Sequence, residues 1–542
     1  MRQQAVGAVT MTGVGSDAGP STVSRRPGRD LMSGRALLPG LALLTAGAGS
    51  VLAFAPFGQF YLAIPSLAVW FWLCLSGGWR QTAWRSYLYG LGWFGAGVSW
   101  IQVSAHQFGV PLYSFSVGVT ALFVLVLALY FAAAGALGAW AARRGTCVAR
   151  RLMMLGCAFW LCEWLRGWLA TGFPWGAVGY SQVGGPLDAV LPVLGTGGAS
   201  ALVLWLAAGL VYLLMHWRSP RRVARAGLEL VGVTAALLTL GRVPYTQTVG
   251  DPVRVALLQG NIPQHLKWAP ESFIPTVERY RAMTEEALAA DVDLVIWPES
   301  AIPAYADQTR TLIDTLHEEA SAAGVGYFIG MPRRVEAPAD GRVVHFNSVL
   351  ALGSELGLYD KRHLVPFGEY LPFRSLLYAP LAALHVRLAD FVAGPEAQPL
   401  LQVGDVPVGM SICFEDVFAG EVLKALPEAG LLVNVSNDAW FGDSLAPHQH
   451  MQIAQARALE SGRPMLRATN TGVSGVADHR GRLIARSPQF EPDTLIVEVT
   501  PRQGMTPYFI WRDWPLLGLS VLGLVLFRKR ALVFLAEWLL GR

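Results

Sequence analysis

The chain has 542 residues, of which 53% are hydrophobic and only 15% are charged, and its mean hydropathy is +0.40. These values exclude an ordinary soluble globular protein and indicate several membrane spans, with enough length left for one substantial water-soluble domain. The formal net charge of +4 is small for a chain of this size and gives no reason to expect a nucleic-acid partner.

The N-terminal stretch, residues 1–34, is rich in Gly, Ser, Thr and Arg and lacks an apolar period. This composition predicts a disordered tail, because it offers too little apolar surface to form a core. The basic region from Arg25 to Arg35 directly precedes the first apolar run, as it would in a signal peptide. A signal anchor is the preferred interpretation, because further apolar runs follow at once.

Eight apolar runs approach the length that crosses a bilayer, which is about 20 residues for about 30 Å of hydrocarbon. The second, third, seventh and eighth runs are short or interrupted, so counts of six or seven spans remain open. The eight runs are Ala36–Phe54, Tyr61–Leu75, Tyr87–Ile101, Ser116–Ala142, Leu152–Leu169, Ala199–His216, Leu228–Leu240 and Pro515–Phe527.

Positive residues follow the second, fourth, sixth and eighth runs, whereas the alternate loops, including Thr171–Gly198, carry almost none. The positive-inside rule then predicts that both termini are cytoplasmic and that the segment between spans seven and eight lies on the outer face. The positive residues are Arg80, Arg85, Arg143, Arg144, Arg150, Arg151, Arg218, Arg221, Arg222, Arg225, Arg528, Lys529 and Arg530.

The outer segment has a different pattern, in which short strand-like runs alternate with amphipathic helical stretches. This alternation predicts a layered α/β domain. We therefore expect four parts: a cytoplasmic tail (1–34), spans one to seven (35–241), an extracytoplasmic catalytic domain (242–507), and a last span with the C-terminus (508–542). The predicted strands are Val253–Leu258, Val292–Trp297, Gly326–Gly330, Val344–Leu352, Val408–Cys413 and Leu431–Asn434, and the predicted helices are Ser272–Ala290, Thr309–Ala323 and Gln449–Ser461.

Three reactive side chains stand at or just beyond the ends of strand-like runs in this segment: Glu299, Lys361 and Cys413. A thiol with a pKa near 8.5 is mostly protonated at pH 7, so a nucleophilic cysteine needs help. A carboxylate can act as its general base, and an ammonium can lower its pKa and stabilise an oxyanion. Taken singly, the three residues could also be a buried strand cysteine, a helix cap and a solvated turn charge.

The remaining polar and cysteine residues give weaker signals. The other four cysteines lie in or beside the apolar half, so no disulfide framework is visible. His448 and His450 form a His-x-His pattern without a third ligand nearby, which argues against a metal site. Glu163 and Arg166 stand three residues apart on a predicted span, where we expect them to pair structurally.

The motifs around the three reactive residues resemble those of the nitrilase, or carbon–nitrogen hydrolase, superfamily. Glu299 lies in Trp-Pro-Glu-Ser, Lys361 in Tyr-Asp-Lys-Arg-His-Leu-Val-Pro-Phe-Gly-Glu-Tyr and Cys413 in Ile-Cys-Phe-Glu. The membrane half narrows the resemblance to the apolipoprotein N-acyltransferase family. The further motifs that carry it are Gln259–Gln264 with Lys267-Trp268, Asn434–Gly442, Pro447–His450, and Glu163–Trp168 running on to Gly172–Trp175.

This resemblance implies an α-β-β-α sandwich and a two-step acyl transfer in the bacterial inner membrane, with the catalytic domain in the periplasm. Cys413 would take an acyl group from a phospholipid as a thioester, and the N-terminal S-diacylglyceryl cysteine of an apolipoprotein would then accept it as an amide. Glu299 would be the general base, and Lys361 would stabilise the oxyanion. Neither a metal nor a cofactor is required.

The resemblance also points to four supporting positions. Glu369 matches a carboxylate that supports the lysine and the base, and Trp268 and Glu415 match positions implicated in activity. Phe414 stands where many relatives have Tyr, so the ring is kept and a hydroxyl is lost.

Two other functions compete with this prediction. A membrane-tethered amidase could use the same three residues on a small soluble amide, but such a substrate gives no reason for eight spans. A transporter with a decayed accessory domain predicts ionisable residues spread over several spans. Here they are mainly Glu163 and Arg166, and the soluble segment keeps all three reactive residues.

Overall fold

The computed structural model describes residues 34–109, 112–142, 146–336, 342–383 and 390–526. Several sequence predictions lie outside these ranges: the disordered tail up to residue 33, and the charges of Arg143, Arg144, Arg528, Lys529 and Arg530.

The N-terminal half is helical, and a helix coincides with each apolar run predicted there. Long stretches of Ala, Leu, Val and Phe offer no polar side chains to the backbone. In an apolar environment the backbone N–H and C=O groups must therefore bond to each other, and a helix satisfies them within one segment. The helices are α1 (Gly34–Gly49), α2 (Ala63–Cys74), α3 (Trp79–Gly97), α4 (Ile101–Ser104), α5 (Tyr113–Ala142), α6 (Val148–Arg166), α7 (Leu191–Met215) and α8 (Pro220–Gly241).

Three helical segments among the described residues are both long and apolar enough to cross a membrane: Tyr113–Ala142, Pro186–Met215 and Pro220–Gly241. The other apolar helices are shorter or more polar. The helices pack closely where glycines remove side chains. A Cβ on Gly92 of α3 would lie 2.1 Å from the backbone oxygen of Leu44 in α1, so the two helices touch through their main chains.

The second half contains two six-stranded sheets packed face to face, with helices on both outer faces. One sheet has the order β13-β2-β3-β4-β5-β6, and the other has β12-β11-β10-β9-β8-β7. The strands are β1 (Thr246–Thr248), β2 (Val253–Gln259), β3 (Leu294–Trp297), β4 (Gly326–Glu336), β5 (Val343–Leu352), β6 (Gly357–Asp360), β7 (Leu401–Val403), β8 (Val406–Ile412), β9 (Leu431–Ser436), β10 (Met465–Thr469), β11 (Gly475–Ala477), β12 (Leu483–Arg486), β13 (Asp493–Val499) and β14 (Arg502–Gly504).

Each sheet has a parallel centre, formed by β2, β3 and β4 in one and by β8, β9 and β10 in the other. Parallel central strands are buried on both faces, which explains why their sequences are nearly continuous apolar runs. The helices of this half are α9 (Gln264–Lys267), α10 (Phe273–Leu288), α11 (Arg310–Ala323), α12 (Arg374–Ala383), α13 (Ala419–Val422) and α14 (Ala446–Ser461).

Two outer cores complete the four layers. Helices α10 and α11 cover the first sheet, and α13 and α14 cover the second, each through buried aliphatic side chains. The predicted α-β-β-α sandwich is therefore present in this half. All six predicted strands and all three predicted helices correspond to observed elements. Most ends agree within a few residues, but β4 continues to Glu336, six residues beyond the predicted end at Gly330.

The two halves meet along helix α14. Ile453 and Leu459 of this helix belong to the same apolar core as Leu202 of α7. Glu460 extends the contact, since it accepts hydrogen bonds from the backbone N–H and the hydroxyl of Thr196, both at 2.7 Å. The chain then returns through α15 (Pro507–Trp511) and α16 (Trp514–Leu526), and α16 packs beside α6.

Candidate active site

Glu299 lies just beyond the end of β3, where the chain turns at Pro298. Its side chain is buried and makes two hydrogen bonds. Oε1 accepts from Nδ2 of Asn347 at 2.7 Å, and Oε2 accepts from the backbone N–H of Asn437 at 2.8 Å. The carboxylate is thus held in one orientation by donors from both sheets.

Lys361 directly follows β6 and is 1% exposed. Its Nζ lies 2.9 Å from Oε1 of Glu369 and 3.8 Å from Oε1 of Glu299. Burial disfavours the ammonium, but the two carboxylates outweigh this effect and hold the pKa of Lys361 above its usual range. The lysine is therefore a permanently charged group inside the site.

Cys413 is the first residue after β8 and adopts a left-handed backbone conformation, with φ of 53°. This conformation is uncommon for a residue with a Cβ and ends the strand abruptly. Asn434 on β9 supports the turn by donating to the Cys413 carbonyl at 3.1 Å. The predicted strand Val408–Cys413 differs at its ends: β8 ends at Ile412, so the thiol follows the strand rather than forming its last position.

The electrostatic surroundings link Cys413 to the other two residues. Burial raises the pKa of the Cys413 thiol, the Glu299 carboxylate raises it further, and the Lys361 ammonium opposes both. The net shift is upward, so the thiol is protonated at neutral pH and needs a base to become a nucleophile. A carboxylate and an ammonium, the two kinds of group that activate a thiol, are therefore both close enough to act on Cys413.

Asn347 is a site residue that the sequence prediction missed. Its Nδ2 donates to Glu299 at 2.7 Å and to Glu369 at 2.9 Å, so one amide nitrogen lies between two carboxylates. Because carboxylates only accept, the nitrogen of the amide must face them, which fixes the side-chain orientation. The signal in the sequence was weak, because Asn347 is one of three polar residues in the middle of strand β5, with His345 and Ser348.

Glu369 and Glu415, both predicted from the family motifs, hold the loop that carries the lysine. Oε2 of Glu369 accepts from the backbone N–H of Val365 at 2.8 Å. Glu415 is fully buried and accepts from the backbone N–H groups of Arg362 at 2.7 Å and Ile412 at 2.7 Å. Glu415 thus ties the lysine loop directly to the turn that presents the cysteine.

His450, considered as a metal ligand in the sequence, belongs instead to a buried ionic network behind Cys413. Its Nε2 lies 2.7 Å from Asp416, and Arg467 contacts Asp416 at 3.0 Å and Asp438 at 2.9 Å. All four side chains are inaccessible to solvent or nearly so. The network crosslinks α14, β10 and the turn after Cys413.

Phe414 packs against both the core of the helical half and the core between the two sheets. Its ring lies nearly parallel to Trp175, at an interplanar angle of 14° and a centroid separation of 6.5 Å, and it also stacks near Phe173 at 6.5 Å. The residue next to Cys413 therefore contacts the loop between α6 and α7. Trp268 does not join this cluster, since its side chain is half-exposed beside α9.

Lys267, the neighbour of Trp268, is a second buried lysine near the site. It is 1% exposed, and its Nζ donates to the backbone oxygen of Glu299 at 3.1 Å. Burial lowers the pKa of Lys267 to about 8, although the Glu299 carboxylate opposes the shift. Apart from its place in a family motif, nothing in the sequence distinguishes this lysine chemically.

Two family models match the chain. The one described as carbon-nitrogen hydrolase matches residues 254–506, and the one described as apolipoprotein N-acyltransferase N-terminal domain matches residues 46–209. The first covers the sandwich, and the second covers most of the helical half.

Similar proteins of known name cover nearly the whole chain. An apolipoprotein N-acyltransferase of Methylococcus capsulatus is 45% identical over 90% of this chain and 96% of its own length. One of Pseudomonas aeruginosa is 40% identical over 89% of this chain and 93% of its own length. Among solved structures, a mutant amidase from Nesterenkonia sp. AN1 is 19% identical, with a TM-score of 0.33, over 49% of this chain and 98% of its own.

Proposed function

The chain belongs to the apolipoprotein N-acyltransferase family, acyltransferases of the carbon–nitrogen hydrolase superfamily, and on that premise we propose its reaction. It transfers an acyl chain from a membrane phospholipid to the N-terminal S-diacylglyceryl cysteine of an apolipoprotein, the last step of lipoprotein maturation. The observation that carries this proposal is the convergence of Glu299, Lys361 and Cys413 at one buried centre beside the helical half.

In the first step, Glu299 accepts the proton of the Cys413 thiol as the sulfur attacks the ester carbonyl of the phospholipid. The Lys361 ammonium stabilises the negative charge that develops on the carbonyl oxygen. The carbon–oxygen bond then breaks, the proton returns from Glu299 to the leaving alkoxide, and lysophospholipid departs. The acyl group remains on Cys413 as a thioester.

In the second step, the α-amine of the apolipoprotein attacks the thioester carbon. Glu299 accepts the amine proton, Lys361 again stabilises the oxyanion, and the carbon–sulfur bond breaks. The thiolate takes the proton back from Glu299, and the acceptor leaves with a new amide bond. A sulfur nucleophile suits this route because it is both a good nucleophile and a good leaving group.

The supporting residues act around these two steps. Glu369 and Asn347 fix the positions of Lys361 and Glu299, and Glu415 fixes the lysine loop against the cysteine turn. Phe414 and the half-exposed ring of Trp268 provide apolar contacts for the substrates. The hydrogen bonds and ring contacts described above support the roles of Glu369, Asn347, Glu415 and Phe414, and the exposure of its ring supports that of Trp268.

A lipid substrate must reach the site from the bilayer, and apolar surface near the site supports this route. The segment that follows Glu369 exposes Phe373, Leu376 and Tyr378, which are 79%, 73% and 49% accessible. Such a concentration of exposed apolar side chains marks a membrane or partner surface. We propose that this arm, Tyr370–Leu384, and the loop Gly172–Gln182 frame the entrance for acyl chains; Leu384 lies outside the described residues.

For the topology we propose eight spans in the bacterial inner membrane, with a periplasmic catalytic domain and both termini cytoplasmic. The domain boundaries are those given by the sequence: 1–34, 35–241, 242–507 and 508–542. The pairing of β1 with β14 supports the middle boundary, because Thr246 opposite Gly504 brings the two ends of the segment together.

The test of the reaction is intact-mass measurement on detergent-purified protein incubated with phospholipid and no acceptor. Wild type and Cys147→Ala should gain an acyl mass, and Cys413→Ala should not. Adding a diacylglyceryl lipopeptide should discharge the adduct and yield the N-acylated peptide. Active protein that never carries an adduct, or that turns over a small soluble amide instead, contradicts the proposal.

The test of the topology uses a membrane-impermeant maleimide on protein without Cys147 and Cys413. A cysteine in place of Ser354, in an exposed turn of the sandwich, should react in intact cells once the outer membrane is permeable. A cysteine in place of Arg222, in the basic start of α8, should react only after the inner membrane is disrupted. Reversed accessibility would contradict the orientation.

A further inference from the structure

Glu163 and Arg166, near the C-terminal end of α6, grip the loop that follows the helix. Nη1 of Arg166 donates to the backbone oxygens of Phe173 and Trp175, the latter at 2.7 Å. Oε2 of Glu163 accepts from the backbone N–H of Val178 at 2.9 Å. The sequence predicted that the two charges pair structurally, whereas the structure directs both to one stretch of main chain.

Main-chain hydrogen bonds close only part of this loop, such as those from the N–H of Gly172 to Leu169 and from the N–H of Phe173 to Arg166, and side chains bind other main-chain groups of the loop. Ala170, Thr171 and Gly172 all have positive φ, at 54°, 72° and 87°, so the chain reverses sharply after the helix. A Cβ on Gly172 would lie 2.2 Å from the Gly167 oxygen, so the turn is tightly closed. The carbonyls that follow point inward, where a buried guanidinium is the donor they find.

The gripped stretch carries the two aromatic rings that meet Phe414. Phe173 and Trp175 each stack on it, with both centroid separations at 6.5 Å. Trp175 is further fixed by its Nε1, which donates to Gln449 of α14 at 2.7 Å. An ordered path thus runs from the two charges in α6 to the residue that follows Cys413.

We propose that Glu163 and Arg166 are positioning residues for the acylation of Cys413. By holding the loop, they keep Phe173 and the buried Trp175 against Phe414, so that the accessible faces of Phe173 and Phe414, backed by Trp175, form an aromatic wall along which the donor's acyl chain lies beside the thiol. The inference rests on the proposed function and adds two residues to it that touch neither the substrate nor the reacting atoms.

Helix α6 supplies a matched control at its other end. Arg151 also donates to main-chain oxygens of a loop, those of Cys74 at 3.1 Å and Gly77 at 2.9 Å. In the described part of the chain, this loop makes no hydrogen bond or ring contact with the residues around Cys413. Arg166→Gln and Arg151→Gln therefore remove the same chemistry from the same helix. Glu163→Gln is a milder variant, because it keeps the size and an acceptor oxygen while removing the charge.

The experiment compares two reactions of Cys413 in full-length protein: single-turnover thioester formation from phospholipid, and alkylation by iodoacetamide. In Arg166→Gln we expect thioester formation to fall at least about tenfold, because small displacements from the reactive geometry are costly. Alkylation should not be slowed, because a small reagent needs no acyl wall. In Glu163→Gln the same pattern should appear with a loss of about threefold or more.

Other outcomes overturn the inference. The inference is wrong if Arg166→Gln forms the thioester at the wild-type rate. It is also wrong if Arg151→Gln slows thioester formation as much as Arg166→Gln does. A parallel slowing of alkylation also overturns it, since it means that the charges only maintain the folded site. If Arg166→Gln cannot be purified folded, Glu163→Gln decides by the same criteria. Failure of wild type to form any thioester overturns the proposed function itself, and the positioning role with it.

Discussion

The Nζ atom of Lys361 lies 2.9 Å from Oε1 of Glu369, which makes this carboxylate, rather than the proposed base, its nearest ionic partner. The distance to Glu299 is 3.8 Å. Glu369 therefore stabilises the charge of Lys361, while the ion pair between Lys361 and Glu299 stays longer and weaker. As a result, Lys361 can remain charged to stabilise the oxyanion, and Glu299 can still accept a proton in the proposed reaction.

Replacing Glu369 with Gln should lower kcat by between about tenfold and a hundredfold, since the lysine would then turn to Glu299 and restrain the base. The measurement is the rate of thioester formation from phospholipid, which is monitored by the intact mass of the protein. Glu355→Gln, in an exposed turn of the same domain, is the matched control and should behave as wild type. Full activity in Glu369→Gln would show that the ion pair has no part in the reaction.

Replacing Asn347 with Ala should abolish most activity and reduce stability by about 1–3 kcal/mol, because two buried carboxylates would lose a shared donor. Asn347→Asp keeps the shape but adds a third carboxylate, so it should be at least as damaging. Thermal melting in detergent, beside an acylation assay, separates the two effects. An active, stable Asn347→Asp protein would contradict the bridging role.

The buried amine of Lys267 should leave a signature in the pH dependence of stability. Its pKa is about 8 in the folded protein, against about 10.4 in the unfolded chain. Between these values the unfolded chain binds a proton that the folded protein does not, so stability rises with pH across this window. The full gain is about 3 kcal/mol.

Lys267→Met should lack this rise, so its melting temperature relative to wild type should fall as the pH increases from 8 to 10. Melting curves of both proteins at matched ionic strength provide the check. If the melting temperatures of the two proteins change with pH in the same way, Lys267 keeps its proton between pH 8 and 10, which contradicts the prediction.

Restoring a hydroxyl at Phe414 should change little. The Phe414 ring contacts Trp175 and Phe173 through its faces, so Phe414→Tyr should retain activity within about threefold, whereas Phe414→Leu should lose about tenfold with the stacking contacts. The comparison uses initial rates of lipopeptide acylation. Equal rates in the Leu and Phe proteins would remove the aromatic wall from the mechanism.

Replacing Phe173 and Trp175 with Ala should raise the apparent KM for phospholipid, because these rings form part of the proposed acyl entrance. The saturation curve for phospholipid is the relevant measurement, with the lipopeptide held constant. An unchanged KM would contradict this role for the loop.

Much of the architecture was predictable from local pattern. The central strands β2, β3, β8 and β9 are short apolar runs ended by polar residues, and each was placed within a few residues. The edge strands β6, β7, β12 and β13 were missed, and so were β10 and β11 inside the second sheet. Most of them are only three to five residues long, so their sequences give a weak periodic signal. Pairing with neighbours, which a local pattern cannot report, makes them strands.

The candidate site divides in the same way. Cys413, Glu299 and Lys361 were visible because each interrupts or follows an apolar run and carries a reactive group. Asn347 and Lys267 were not singled out for their chemistry, since an amide or an ammonium gains a role only from the groups that surround it. The partners of Glu163 and Arg166 were likewise hidden, because they are a main-chain N–H and main-chain oxygens, which leave no trace in a sequence.

The division into an apolar helical half and an α/β half, the strand ends that bear the reactive residues, and the family can all be read from the sequence alone. These follow from periodicity and residue type, which act over a few neighbouring positions. The tertiary structure alone decided which carboxylate pairs with Lys361, that Asn347 bridges two of them, and that a loop of the helical half stacks against Phe414. Such contacts join residues far apart in the chain, and their geometry is set by the packing of whole sheets and helices.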